Sequence, residues 1–287
     1  EQKYGSPNPA GLMEYIAGCK RDFKPQTDFQ YSCLNFITLQ HIIEAVSGQS
    51  LRDFARENVF DVLGMKHTDY LPCLRDKNGK WINTVPLSEN IAPTEKQPDG
   101  QVLCGQVHDP LARIMNGGIL NGGISGNAGV FSCAEDIAIL CAALQNGGEW
   151  NGHRILSPQG VKTMRTVPRA TAGLGRSPGW DVCSPYASNA GDFFSPNTYG
   201  HTGYTGTSVV IDPDNDTSVI LLTNAVHPED GHSVVRLRSL VANAVAASLY
   251  PAPRTYTDHY YKRFLQFMDE PAIGSKDIVM LGNSLTE

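Results

Sequence analysis

Tyr199-Gly200-His201-Thr202-Gly203-Tyr204-Thr205-Gly206-Thr207-Ser208 is the stretch from which the fold is read. Three glycines and four Ser or Thr residues fall in these ten positions, and the apolar run Val209-Val210-Ile211 follows directly. Asp212-Pro213-Asp214-Asn215-Asp216 is a turn cluster, and Val219-Ile220-Leu221-Leu222 is a second apolar run. The pattern predicts two antiparallel strands joined by a short loop. The glycine-rich end is then a strand edge that another backbone, or a ligand, can approach closely. A histidine among small residues on such an edge is placed to touch whatever binds there.

Working outward, 287 residues suffice for one large domain or two small ones. A hydrophobic content of 41% and a charged content of 18% are those of a soluble globular protein. The net charge of -6 comes with no basic cluster, so neither nucleic acid nor an anionic membrane is favoured as a partner. No apolar run approaches the ~20 residues needed to span a bilayer. The first residue is Glu1 and no signal-like segment follows, so a processed chain or a fragment is expected. The seven cysteines form no C-x-x-C pair, which argues against a zinc ribbon or a thioredoxin-like site. Their odd number leaves at least one free thiol, and most are expected to act as small buried hydrophobes. The histidines show no H-E-x-x-H spacing. Neither a metal site nor a cofactor is expected.

Upstream, a short helix is predicted around Leu12–Cys19. Phe36, Leu39, Ile43 and Val46 keep a helical spacing up to Gly48. Ser50 with Asp53 reads as a capping box for the next helix, which Gly64 ends. Residues 71–107 are irregular, with a short strand pair around Trp81-Ile82-Asn83. A glycine-dense run from Gly117 to Gly129 precedes Ser132 and Glu135, a second capping box. The helix it opens carries Ile137, Leu140, Cys141 and Leu144 on one face, and Asn146-Gly147-Gly148 stops it. Ser157-Pro158 marks another helix start. Downstream, Gly179-Trp180-Asp181 opens a further strand. Val234–Leu249 form an amphipathic helix, with Leu237, Leu240, Val241, Ala244, Val245 and Leu249 inward.

Several of these segments resemble the serine β-lactamases of the class C type, the penicillin-binding proteins and related esterases. His201-Thr202-Gly203 matches the His form of their Lys-Thr-Gly strand motif. Tyr31-Ser32-Cys33 stands where the family has Tyr-x-Asn, with Cys33 replacing Asn, and Leu63-Gly64-Met65 follows the next helix. Val107-His108-Asp109, Gly126-Asn127-Ala128-Gly129 and Phe131-Ser132-Cys133-Ala134 recur in that order in one bacterial branch of the family. The resemblance covers roughly residues 1–250. It implies an α/β (α+β) fold: a transpeptidase-like antiparallel sheet flanked by helices, plus a helical region, here N-terminally incomplete.

Tyr250-Pro251-Ala252-Pro253-Arg254 marks a boundary, with a linker over 251–258. Beyond it a helix from Tyr260 to Asp269 and an apolar strand, Asp277–Leu281, lead to Gly282-Asn283-Ser284-Leu285. This resembles the opening of an SGNH (GDSL-type) hydrolase, a flavodoxin-like domain, with Asn283 in place of Asp and Ser284 at the nucleophile position. The alternative is a tail whose strand adds to the main sheet.

The family nucleophile is the Ser of Ser-x-x-Lys, where one helical turn brings the Lys beside the Ser. No Ser here has Lys three positions later; Ser157 and Lys162 are the nearest approach. Either the chain starts after that helix, or the domain never had one. The resemblance assigns proton transfer to Tyr31 and contact with the leaving group or substrate carboxylate to His201. It assigns one backbone N–H of an oxyanion hole to Tyr204. Thr202 and Gly203 would line the substrate, Gly203 leaving room for the acyl group. Cys33 would face the substrate amide, which a thiol serves poorly, and this counts against β-lactams. Gly123-Ile124-Ser125-Gly126-Asn127 fails the G-x-S-x-G pattern and reads as a glycine loop. His108 and Asp109, adjacent on an extended segment, point to opposite faces. The implied function is acyl-enzyme hydrolysis of a small ester or a D-amino-acid peptide, in a periplasmic or extracellular setting. The alternative is a catalytically silent ligand-binding or scaffold domain of the same fold.

Overall fold

The computed structural model describes residues 9–249 except 26, 89, 115–121 and 183–186. Two compact units are distinguished, Glu1–Ala246 and Ala247–Glu287. The linker, the helix and strand expected over 260–281, Ser284 and Cys183 lie outside the described residues.

Helix α1 is Pro9–Gly18 and α2 is Cys33–Ser47. Ser32, in extended backbone, caps α2 by accepting from the Leu34 N–H at 3.2 Å, and Gly48 ends it at φ 71°. The buried positions of α2 are Ile37 and Gln40, whereas Leu39 and Val46 are exposed, so the buried line is offset from the predicted one. The reason is polar: Gln40 turns inward to accept the Gly126 N–H at 2.9 Å. Helix α3, Leu51–Ala55, starts on the predicted Ser50 cap, which accepts the Asp53 N–H at 3.1 Å. A π turn, Arg56–Phe60, and α4, Asp61–Leu63, follow, and Gly64 closes them at φ 74°.

Strands β1 (Asp69–Tyr70), β2 (Cys73–Arg75) and β3 (Trp81–Asn83) come next, and β2 and β3 are the antiparallel pair predicted around Trp81. Helix α5 is Pro110–Ile114, and β4, Val130–Phe131, pairs antiparallel with β1. Helix α6, Ala134–Gln145, does not begin on the Ser132–Glu135 box. Cys133 is its cap residue, and its side chain caps no backbone N–H; the Ser132 hydroxyl is bonded to Thr68 Oγ1 at 2.7 Å instead. Asp136 in the first turn accepts from the His67 N–H and the Thr68 hydroxyl, each at 2.7 Å. Partners distant in sequence thus outcompeted a local cap.

A small hairpin, β5 (Glu149–Trp150) with β6 (His153–Arg154), leads to α7, Pro158–Arg165, capped by Ser157 as predicted. The central sheet has three antiparallel strands in the order β7 (Tyr199–Thr202), β8 (Ser208–Asp212), β9 (Thr217–Leu221). Both predicted strands are there, and the glycine-rich stretch supplies a third. Cys141 and Leu144 of α6 and Val161 of α7 pack with Tyr199 and Ile211 of the sheet. Ala143, on another side of α6, joins Phe60, Leu63 and Met65. Helix α6 is therefore shared between two core clusters, which its apolar length permits.

Helix α8, Val235–Leu249, buries Arg238, Ala242 and Ala246, an i, i+4, i+8 line, while Leu237, Ala244 and Leu249 are exposed. The predicted inward face is corrected in part: Leu240, Val241 and Val245 are half-buried, and the fully buried line is made of small residues and one arginine. Cys73 and Cys141 are buried, and burial raises both thiols to about 11. The other described cysteines are only partly buried or, for Cys19, exposed, so the expectation of mostly buried thiols does not hold among them. Among the described residues no helix is long and apolar enough to cross a membrane.

Candidate active site

Pairing of β7 with β8 in the register Tyr199↔Ile211, His201↔Val209 sets the geometry. The two-residue period puts Tyr199 and His201 on one face. Tyr199 goes into the core, where burial raises its phenol to about 12. His201 comes at the open end of the strand. Gly200 is obligatory between them, because a Cβ there would overlap the Val209 carbonyl. On the outer side of β7, Asp181 exchanges two backbone hydrogen bonds with Gly200, at 3.0 and 2.9 Å. This brings the 176–181 segment alongside His201.

Arg176 is the hub that results. Its Nη2 lies 2.9 Å from His201 Nε2, and its Nη1 lies 3.3 Å from Asp181 Oδ2. Its guanidinium carbon sits 5.3 Å from the centre of the Tyr31 ring and 5.7 Å from that of Phe29. A guanidinium only donates, so His201 Nε2 accepts. His201 Nδ1 is 2.9 Å from the Thr202 carbonyl, which only accepts, so Nδ1 carries the proton. Both contacts require a neutral imidazole. Burial lowers its pKa; the Thr202 carbonyl opposes this, the Arg176 charge adds to it, and Asp181 opposes it again.

Tyr31, the residue before the α2 cap, is half exposed, and its ring centre lies 6.4 Å from that of His201. Cys33 is the first residue of α2 and half-buried. Thr202 ends β7 opposite Ser208. At Gly203 a Cβ would overlap Thr207 Oγ1, so the close approach there is made by the turn itself.

Tyr204 lies on the turn after β7 and is 75% exposed. Its ring stacks on His108, centres 5.7 Å apart, and its hydroxyl donates to Asp230 Oδ2 at 2.5 Å. That bond raises the phenol pKa and lowers the carboxyl pKa. His108 Nε2 is in turn 3.0 Å from Glu95 Oε2, whereas Asp109 accepts the Ala112 N–H at 2.7 Å. The two neighbours thus serve different partners. No hydrogen bond of the Tyr204 N–H is found among the described residues.

Tyr31 and His201 are therefore brought together. Tyr204 is on the adjoining turn with its side chain directed to His108 and Asp230, and Ser284 is outside the described residues. Ser125 is buried and donates to Asn127 Oδ1 at 2.5 Å, in a glycine loop pressed so close to α2 that a Cβ on Gly126 would overlap the Phe36 carbonyl. Arg176 and Asp181 were not legible in the sequence, because an Arg five positions before an Asp in irregular chain has no periodic signature. Among the described residues no group of three or more His, Cys, Asp or Glu could hold a metal ion. The site offers a guanidinium ion-paired with Asp181, a neutral imidazole and a phenol, a set of donors that suits a polar ligand group.

A family model described as Beta-lactamase matches residues 1–243. The "Putative D-alanyl-D-alanine carboxypeptidase" of Escherichia coli K12 is 34% identical over 233 residues, covering 77% of this chain and 51% of that protein. The protein of the same name from Salmonella gallinarum is 30% identical over 261 residues, covering 86% of this chain and 57% of its own length. The chain thus spans about half the length of the curated relatives it matches. A beta-lactamase from Mycobacterium bovis superposes with a TM-score of 0.53 at 18% identity, over 86% of this chain and 75% of that one. The octameric penicillin-binding protein homologue from Pyrococcus abyssi does so at 0.51 and 17%, over 91% and 52%. These two likenesses concern the fold, helices with small antiparallel sheets. With one family match running from the Tyr31 segment through the glycine loop and the β7–β9 hairpins into α8, the chain belongs to the beta-lactamase family.

Proposed function

We propose that this chain forms the substrate-holding part of a serine hydrolase site that works through an acyl-enzyme on an ester or a D-amino-acid peptide. The observation that carries this reading is the approach of Tyr31 to His201 with Arg176 against both. Tyr31 moves the proton between nucleophile and leaving group. His201 is neutral and accepts from Arg176, so a substrate carboxylate is met by the Arg176 charge rather than by an imidazolium. The Tyr204 N–H stabilises the developing oxyanion. The relatives' name favours a peptide ending in D-alanyl-D-alanine over a simple ester. No Ser-x-x-Lys occurs in the 287 residues, so in this reading the attacking serine and its lysine are supplied from outside them. The same reading takes residues 259–287 as the opening of an SGNH domain, and a periplasmic or extracellular setting.

A second reading, a catalytically silent ligand-binding domain, draws on the missing Ser-x-x-Lys and on Cys33 in place of Asn. The full-length protein that carries this chain separates the two. It is incubated with a fluorophosphonate, an activated ester and a D-alanyl-D-alanine peptide, and adducts are followed by mass. Stoichiometric adduct formation with release of D-alanine is expected. Peptide binding without any adduct would establish the silent domain.

A further inference from the structure

Arg238 is the one charged residue in the buried line of α8, with 7% of its surface exposed. Among the described residues no carboxylate pairs with it. Burial lowers its pKa. Instead it is spent on backbone: Nη2 donates to the carbonyls of Gly203, at 2.8 Å, and Thr207, at 2.9 Å. Nη1 lies 3.4 Å from Asn189 Oδ1. Burying a cation with no counter-charge is unfavourable, and a helix needs no such residue to pack on a sheet. The Gly203 and Thr207 carbonyls bracket the turn that follows His201-Thr202-Gly203.

The turn is closed by two further bonds, Gly203 N–H to the Thr207 carbonyl at 2.8 Å and Gly206 N–H to the Gly203 carbonyl at 3.1 Å. The Gly203 carbonyl therefore accepts from both Gly206 and Arg238. That carbonyl and the Tyr204 N–H belong to one planar trans peptide unit and point in opposite directions. Holding the carbonyl toward α8 turns the Tyr204 N–H away from it. A cation on the carbonyl also draws density from the amide and strengthens the N–H as a donor, as in any polarised hydrogen-bond chain.

We propose that Arg238 is a positioning residue for the oxyanion donor: through the Gly203 and Thr207 carbonyls it orients and polarises the Gly203–Tyr204 peptide, whose N–H faces the attacked carbonyl oxygen. This rests on the reading of the Tyr204 N–H as an oxyanion donor. Arg238 touches no substrate; it acts only as charge builds on that oxygen. It therefore governs kcat and the binding of tetrahedral analogues, and leaves ground-state binding through Arg176 alone.

The test uses the full-length protein with an activated ester and a boronic acid that mimics the tetrahedral species. In Arg238→Met, kcat should fall about 10²-fold or more, the scale of losing one oxyanion donor. KM should stay within about threefold, and boronate affinity should fall in step with kcat. Arg238→Gln keeps donors without charge, and Arg238→Lys keeps charge with a single donor group; both should fall between wild type and Arg238→Met. A folded variant of any of the three with wild-type kcat and boronate affinity overturns the proposal, as does a loss carried by KM alone. If Arg238→Met does not fold, the Gln and Lys variants decide. A wild-type protein that neither turns over the ester nor forms an adduct sinks the hydrolase reading and this inference with it. An active wild type with indifferent Arg238 variants sinks only the inference.

Discussion

His201 is neutral for a structural reason: a guanidinium donates to one ring nitrogen and a carbonyl accepts from the other. Protonation would set two cations against each other at 2.9 Å. The sign of the pH effect follows. With its folded pKa lowered, largely by burial, His201 binds fewer protons in the folded than in the unfolded chain below about 6.5. Stability is therefore full above that pH and is lost as pH falls toward the folded pKa. The urea midpoint should drop between about pH 7 and 5, and drop less in His201→Gln, which cannot titrate; identical drops would clear His201 of the effect. Tyr31→Phe tests the neighbouring ring. It keeps the ring contact with Arg176 and removes only the hydroxyl. Ester turnover by the full-length protein should fall by about 10²–10⁴ if the phenol moves the proton. A loss below about threefold would leave Tyr31 a packing residue.

At the scale of elements, α8 decides between two faces of one helix. The apolar side chains Leu237 and Leu249 are exposed, and the line turned inward is Arg238, Ala242 and Ala246. Small residues permit close approach, and Arg238 needs the turn carbonyls that lie there. Ala242→Leu should overpack the interface and lower stability by about 1–3 kcal/mol. Leu237→Ser should stay within about 0.5 kcal/mol. Denaturant midpoints of the two variants in the reverse order would restore the face predicted from hydropathy. Helix α6 shows the same preference for tertiary partners, since Ser132 left its capping role for Thr68.

Across the whole molecule, the candidate site is assembled from residues 29–31, 176–181 and 199–204, with α2 held by the glycine loop behind it. The one serine in these segments, Ser177, is buried and donates to the Trp180 carbonyl at 3.1 Å. Ser125 is buried and bonded, and no serine has a lysine three positions later. The 287-residue chain alone should form no fluorophosphonate adduct and turn over no ester. Heat-sensitive labelling of a serine in a folded sample would place a nucleophile within these residues. On α2, Leu39, Ile42 and Val46 form an exposed apolar line, Val46 at 84%. An exposed stripe of this kind promotes association. Light scattering by the chain should therefore be reduced in Ile42→Lys/Val46→Lys; equal scattering would point to another surface.

Much of this protein was determined locally, where the physical preference is a property of a few adjacent residues. The β8–β9 hairpin follows from two short apolar runs on either side of Asp212–Asp216, the starts of α3 and α7 from Ser50 and Ser157-Pro158, the end of α4 from Gly64, and the family from ordered motifs around His201 and Tyr31. Tertiary structure alone decided which face of α2 and α8 is buried, because hydropathy does not register a Gln or an Arg that hydrogen-bonds to distant backbone. It alone decided that Ser132 is no cap. It alone brought Arg176 to His201, through the Asp181–Gly200 backbone pairing, and thereby set the protonation state of the imidazole: a charge acts through space, and the spacing of residues along a chain does not contain that distance.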